Sequence, residues 1–186
     1  AKDGKIGFSP DKMEDTVEPL LETILKQVPA YEGNENDPLQ LQVSNLDYDN
    51  FLGRLGIGRI SKGSIKNGEM VSLARNDGKV ESFRVSKLYV TEGIQRVEKE
   101  KAYFGDIVTI AGCPDISIGD TICLKDHIEP LPPIHIEKPT LSMNFLVNNG
   151  PFVGKSGKFL TSRHLRERLE RELETNVGLL VEELPN

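Results

Sequence analysis

Residues 53–71, GRLGIGRISKGSIKNGEMV, decide the fold of this chain. Glycines at 53, 56, 58, 63 and 68 punctuate apolar residues that otherwise read as strand, with Leu55 and Ile57 alternating with glycine. Glycines inside a strand suit bulges and tight coiling, which points to a curved sheet. Upstream, Leu39, Leu41 and Val43 alternate with Gln40 and Gln42. Downstream, Val71 and Leu73 lead into the turn Asn76-Asp77-Gly78, and Phe83 and Val85 return from it. Short strands are expected again at 107–110 and 121–124, introduced by Gly105-Asp106 and Gly119-Asp120. Short strands with turn signals and no intervening helix predict a closed antiparallel barrel over residues 38–129, because closure removes exposed edges.

The flanks read differently. A helix is expected near 16–28, with Asp15 and Glu18 at capping spacing, Pro19 in the first turn, Leu20, Leu21, Ile24, Leu25 and Val28 on one face, and Pro29 as the stop. Residues 31–37 are polar and acidic and mark a linker. EPLPPIHIEKPT, 129–140, carries four prolines and reads as a second, stiff linker. Beyond it the pattern predicts a strand at 140–147, a glycine-rich loop at 149–160, a helix from the N-cap Ser162 to about 176, and a strand at 177–183. The helix carries Leu165, Leu169 and Leu173 on one stripe and several four-residue Arg/Glu pairs. Strand, helix, strand is half of a ferredoxin-like fold.

Composition narrows the chemistry. No apolar run approaches the ~18 residues a membrane-spanning helix needs, and the first twenty residues mix both charge signs without an apolar core, unlike a secretory signal. Cytoplasmic residence is the expectation. Cys113 and Cys123 have no CxxC spacing. Joined to His127 they lack a fourth ligand, so they read as buried thiols and not as a metal site. The net charge of -6 is uneven: residues 1–37 hold nine acids against four lysines, which leaves the remaining residues at -1. Residues 53–66 carry Arg54, Arg59, Lys62 and Lys66 without an acid, and 150–164 carry Lys155, Lys158 and Arg163 without one. Such local basic loops suit RNA phosphates, whose attraction is set by local geometry. Solvated surface charge is the competing reading of any single lysine.

Gly154-Lys155-Ser156 resembles the end of a phosphate loop, but that loop needs four residues between its first glycine and Gly-Lys-Ser, and Gly150 leaves three. A basic loop that meets phosphate by lysines and free amides fits better. His127, His135 and His164 are scattered, and Asp106 and Asp120 follow glycines at strand starts, where a short acid makes turn hydrogen bonds. No catalytic, cofactor or metal residue is assigned.

Gly58-Arg59-Ile60, Gly63, Lys66-Asn67-Gly68, Gly105-Asp106-Ile107 and Gly119-Asp120-Thr121 are similar to the barrel signature of elongation-factor-like proteins. LDYDNFLGRLGIGRI (46–60), LSMNFLVNNGPFVGKSGKFLTSR (141–163) and NVGLLVEE (176–183) narrow the resemblance, over essentially the whole chain, to the TypA/BipA family of ribosome-associated translational GTPases. Gly150 departs from it, since the family more often has serine before Pro-Phe.

The resemblance implies a piece of a larger protein. Residues 1–30 would end its GTP-binding domain, 38–129 would be its β-barrel domain, 130–138 a proline-rich linker, and 139–186 the first half of a ferredoxin-like domain. The phosphate loop, switches and guanine reader are absent from these residues, so GTP and Mg2+ are expected of the parent and not of this piece. The implied partners are the ribosome, through rRNA and ribosomal protein, and the parent's own GTP-binding domain, with no membrane and no DNA. The candidate contacts are Arg59, Lys62, Lys66, Lys155, Lys158 and Arg163. Two other readings stay open: a stand-alone RNA- or protein-binding barrel, and a phosphate-loop enzyme using Gly154-Lys155-Ser156.

Overall fold

The computed structural model describes residues 4–9, 11–29, 33–155, 157, 159 and 161–183. The chain divides into two compact units, residues 1–32 and 33–186.

In the first unit, β1 (Ile6–Ser9) pairs antiparallel with β2 (Lys12–Glu14), a hairpin that the sequence reading did not foresee. Helix α1 (Glu18–Gln27) follows. The expected cap at Asp15 is not made. Val17 holds the N-cap position without a side-chain hydrogen bond, and the Thr16 hydroxyl accepts from the Glu18 amide at 3.3 Å. Pro19 sits in the first turn, where its missing N–H costs nothing. The apolar face of Leu20, Leu21, Ile24, Leu25 and Val28 is present and stays exposed.

The second unit is built on a sheet. Its strands are β3 (Gln40–Asp49), β4 (Gly53–Lys62), β5 (Ser64–Lys66), β6 (Met70–Ala74), β7 (Val80–Arg84), β8 (Lys87–Glu92), β9 (Gln95–Glu98), β10 (Lys101–Tyr103), β11 (Ile107–Ala111) and β12 (Thr121–Leu124). Eight of them run antiparallel in the order β7-β6-β12-β3-β4-β11-β8-β9. Strands β7 and β8 lie far apart in that order, yet only Val85 and Ser86 separate them in sequence. A sheet whose first and seventh strands are joined by two residues must roll up. The link also closes the circle by hydrogen bonds: the Val85 amide donates to the Glu69 carbonyl at 2.9 Å and the Ser86 amide to the Ala111 carbonyl at 2.8 Å. Strands β5 and β10 form a separate two-stranded ribbon that prolongs the β4–β11 pair, bridged by the Phe104 amide on the Gly63 carbonyl.

Inward-facing residues fill the barrel. Leu41, Val43, Ile60, Ile65, Val71, Leu73, Val85, Leu88, Val108, Ile110, Ile116 and Ile122 form one core and are essentially sealed from solvent. Gly58 shows why the opening stretch needs glycine: a Cβ there would lie 2.1 Å from the Gln42 carbonyl oxygen, inside the neighbouring strand's backbone. Register shifts in the β3–β4 ladder bend the pair at the same stretch. The Asn76-Asp77-Gly78 turn forms as read, with Gly78 at φ 84°. The Gly-Asp pairs make the expected turn bonds: the Asp106 carboxylate accepts from the Tyr103 amide at 3.0 Å, and Asp120 accepts from Ser117 at 2.9 Å.

After β12 the chain leaves the barrel along its wall. Gln40 Nε2 donates to the Glu129 carbonyl (2.8 Å), Gln42 Nε2 to the Pro132 carbonyl (2.7 Å), and the Leu131 amide to Thr121 Oγ1 (3.1 Å). The strands expected at 140–147 and 177–183 are not formed among the described residues. Alternation alone does not make a strand. Residues 140–147 have no ladder partner, and Leu141, Met143, Phe145 and Leu146 stand exposed. Helix α2 (Ser162–Leu173) ends a few residues earlier than expected, and its N-cap is Thr161 and not Ser162. The Thr161 hydroxyl accepts from the His164 amide.

Candidate nucleic-acid interface

Of the six cations singled out in the sequence, the five described ones are spread over β4, β5, the loop before α2 and the first turn of α2. Lys66 ends β5 and leads into the turn at Asn67 and Gly68, where the Glu69 carboxylate accepts from the Lys66 amide at 2.8 Å. Gly68, at φ 79°, donates to the Val85 carbonyl, which ties the turn to the link that closes the barrel. Across the ribbon Lys66 stands directly opposite Lys101. An open groove of about 590 Å3 lies there, lined by Lys66, Asn67, Gly68, Glu100 and Lys101.

Arg59 and Lys62 lie on β4. Arg59 is exposed, in register with Gln42 on β3 and Ile107 on β11. Lys62 is in register with Gln40 and sits 3.4 Å from the Glu129 carboxylate, so part of its charge is answered within the chain.

Lys155 and Arg163 belong to the C-terminal part. The Lys155 ammonium lies 4.8 Å from the centroid of the Phe152 ring, a cation held over an exposed aromatic. Arg163, in the first turn of α2, donates to Glu167 at 2.7 Å. That contact holds the Glu167 carboxyl below and the Arg163 guanidinium above its ordinary value. Lys158 and Ser156 lie outside the described residues. Helix α2 begins at Ser162, seven residues after Lys155, so the amides of a helix N-terminus are not at that lysine as a phosphate loop requires.

The C-terminal part meets the barrel through the opposite end of α2. Arg54 Nη2 contacts the Glu174 carboxylate at 2.9 Å, and Arg171 Nη2 donates to Asn50 Oδ1 at 3.1 Å. A second open groove, about 460 Å3, runs beside these contacts and is lined by Tyr48, Asn50, Arg168, Arg171, Glu172 and Thr175. The spacing from Arg163 to Arg171 is about 12 Å along the axis, which sets Arg163 apart from this seam.

Three titratable groups are buried in the barrel: Asp120, Cys113 and Cys123. Asp120, 2% exposed, is pushed up by burial, against which the Ser117 and Asn76 amides and nearby Arg75 act. Cys113 and Cys123 are buried free thiols, also pushed up by burial. Among the described residues no cluster of His, Cys, Asp and Glu is arranged to hold a metal ion.

What sequence reasoning missed is Lys101. It lies 35 positions from Lys66, flanked by Glu98 and Glu100, and only the β5–β10 pairing brings the two lysines together.

Comparison with known proteins agrees with the barrel. Residues 53–123 match the family model of elongation factor Tu domain 2. Over nearly its whole length the chain also resembles curated proteins named large ribosomal subunit assembly factor BipA. That of Bacillus subtilis is 47% identical over 98% of this chain, that of Synechocystis 48% over 95%, and that of Haemophilus influenzae 42% over 100%. The chain spans 30% of the length of each of these relatives. A barrel rolled around the glycine-punctuated stretch, matched to elongation factor Tu domain 2 and set within similarity at this level from end to end, means that the chain corresponds to a segment of BipA-family proteins.

Proposed function

We propose that this chain is the ribosome-docking and coupling part of a BipA-type protein, relaying the nucleotide state of a GTP-binding domain to the large ribosomal subunit. The observation that carries the reading is the end-to-end similarity to relatives named large ribosomal subunit assembly factors. In the whole protein, GTP and Mg2+ would be bound elsewhere. Residues 1–30 would close the GTP-binding domain, and 38–129 would act as the translational barrel between the linkers 31–37 and 130–138. Coupling would be rigid-body reorientation, a recognised mode of switching. A barrel sealed by its own strands suits that role, since a close-packed body transmits displacement without deforming.

Docking would be electrostatic and local. Arg59, Lys62, Lys66, Lys155, Lys158 and Arg163 are the proposed contacts to rRNA or ribosomal protein, in the cytoplasm where ribosomes work. Cosedimentation of the chain with purified large ribosomal subunits across a salt series tests the reading. Saturable binding that weakens with salt is expected. Alanine at 155, 158 and 163 should lower both affinity and salt slope more than a charge-matched variant within residues 2–26. Absence of cosedimentation at low salt would remove the docking reading and leave a barrel with another partner.

A further inference from the structure

The ribbon of β5 and β10 places Lys66 and Lys101 opposite one another in antiparallel register. Directly opposed residues share a face with their Cβ atoms about 5 Å apart, and like charges so placed destabilise the pair. Among the described residues neither lysine has an ion-pair partner, and the Lys101 ammonium instead lies 4.4 Å from the centroid of the Tyr103 ring. A third cation joins them. Arg84, exposed at the end of β7, donates from Nε to the Gly68 carbonyl at 2.9 Å, which pins its guanidinium at the rim of the same groove. Arg84 too has no carboxylate partner among the described residues.

The acids nearby are largely engaged. The Glu69 carboxylate caps the Lys66 amide, and Glu98 receives the Lys87 ammonium at 2.6 Å and the Asn67 side-chain amide at 3.4 Å. Glu100 is the acid that lines the groove, and its backbone carbonyl, not its carboxylate, accepts the Asn67 amide. Three cations without a carboxylate partner therefore face two acids around a single turn, Glu100 and the still charged Glu69. The groove is open and its cations are not buried, so a small free anion would stay hydrated there. A polyanion gains by releasing its condensed counterions when several phosphates are met at once. Tyr103 shares the face of Lys66 and Lys101 and is 40% exposed, which adds a ring to the cations, as in surfaces that carry unpaired bases.

We propose that Lys66, Arg84 and Lys101 form a phosphate-binding site for the RNA backbone at the closing seam of the barrel. The site deepens the docking reading and rests on it only for which RNA is met. Lysines and a one-point-anchored arginine position phosphates and read no sequence.

The test is fluorescence anisotropy of the chain against a labelled 20-nucleotide RNA stem-loop from 50 to 200 mM KCl, comparing wild type with a triple Lys66→Gln, Arg84→Gln, Lys101→Gln variant. A control removes equal charge where it is already paired, as Lys79→Gln, Lys99→Gln, Arg168→Gln. The site variant should lose about tenfold or more in affinity at 100 mM and two to three units of salt slope, with the control near wild type. Glu100→Gln should tighten binding, an effect that a folding defect cannot imitate. Equal slopes in wild type and site variant, equal losses in site variant and control, no wild-type binding at 50 mM, or equal competition by polyglutamate would each overturn the proposal. If the site variant loses RNA but the wild type fails to cosediment with large subunits, the site stands and the docking reading falls. If subunit binding persists while the RNA slopes are equal, the reverse holds.

Discussion

The barrel and the segment after it are held by different forces. Between residues 39 and 123 almost every inward side chain is sealed, and the contacts join strands distant in sequence. Helix α2 buries no residue. It is shaped by its Thr161 cap and by four-residue ion pairs such as Arg163–Glu167 and Arg168–Glu172, each worth only a few tenths of a kcal/mol. The difference teaches that a helix makes its backbone hydrogen bonds within its own segment, whereas a strand needs a neighbour. Residues 140–147 alternate as well as many barrel residues and have no ladder.

The sharpest way to break the comparison is to empty each region in turn. Ile60→Ala, at a fully buried position, should cost about 2–5 kcal/mol in urea unfolding. Leu169→Ala, at a half-buried position of the otherwise mostly exposed α2, should cost under about 1 kcal/mol. Similar losses would mean that α2 belongs to the same cooperative core.

Backbone crowding gives the next effect. Gly58→Ala forces a Cβ against the Gln42 carbonyl oxygen and should destabilise by about 1–3 kcal/mol. Gly150→Ala, whose new Cβ would meet only the Asn148 side chain at 3.1 Å, should stay within about 0.5 kcal/mol. A neutral Gly58→Ala would show that the two strands part more easily than the ladder implies.

The seam between the regions should be worth less. A double-mutant cycle on Arg54 and Glu174, both partly exposed, is expected to give a coupling of about 0.5–1 kcal/mol. Zero coupling would shift the joining of α2 to the barrel onto Arg171–Asn50 and the packing around it.

The smallest effect is in pH, and it has opposite signs in the two regions. Burial raises the Asp120 carboxyl above 3.8, so its favourable contribution is complete in acid and is lost as pH rises through the folded value. Arg163 lowers the Glu167 carboxyl below 4.5, so that contribution is complete above the ordinary glutamate value and is lost as pH falls through the folded one. Carbon-detected NMR titration of the two carboxyls should show inflections on opposite sides of these values. Asp120 titrating below 3.8 would mean that its amide donors and Arg75 outweigh burial.

Much of this was legible because it is local. The Asn76-Asp77-Gly78 turn, the Gly-Asp turns, the strands at 107–111 and 121–124 and both helices follow from residues within a few positions of one another. The glycines of 53–68 announced a curved sheet for the same reason. Strands β5, β8, β9 and β10 went unread because no turn signal like the Gly-Asp pairs introduces them, and they acquire their identity from their ladder partners.

The candidate interface divides along the same line. Charge content by segment could be read from the chain, and it pointed to Arg59, Lys62, Lys66, Lys155, Lys158 and Arg163. It could not show that Arg163 is occupied by Glu167, that Lys62 faces Glu129, or that Lys101 and Arg84 stand beside Lys66. The sequence by itself determined that this chain makes a barrel and a helix, because alternation, turn chemistry and capping act over a few residues. Only the tertiary structure decided how the barrel closes and which cations remain unanswered, because both depend on pairings across tens of residues that no local pattern encodes.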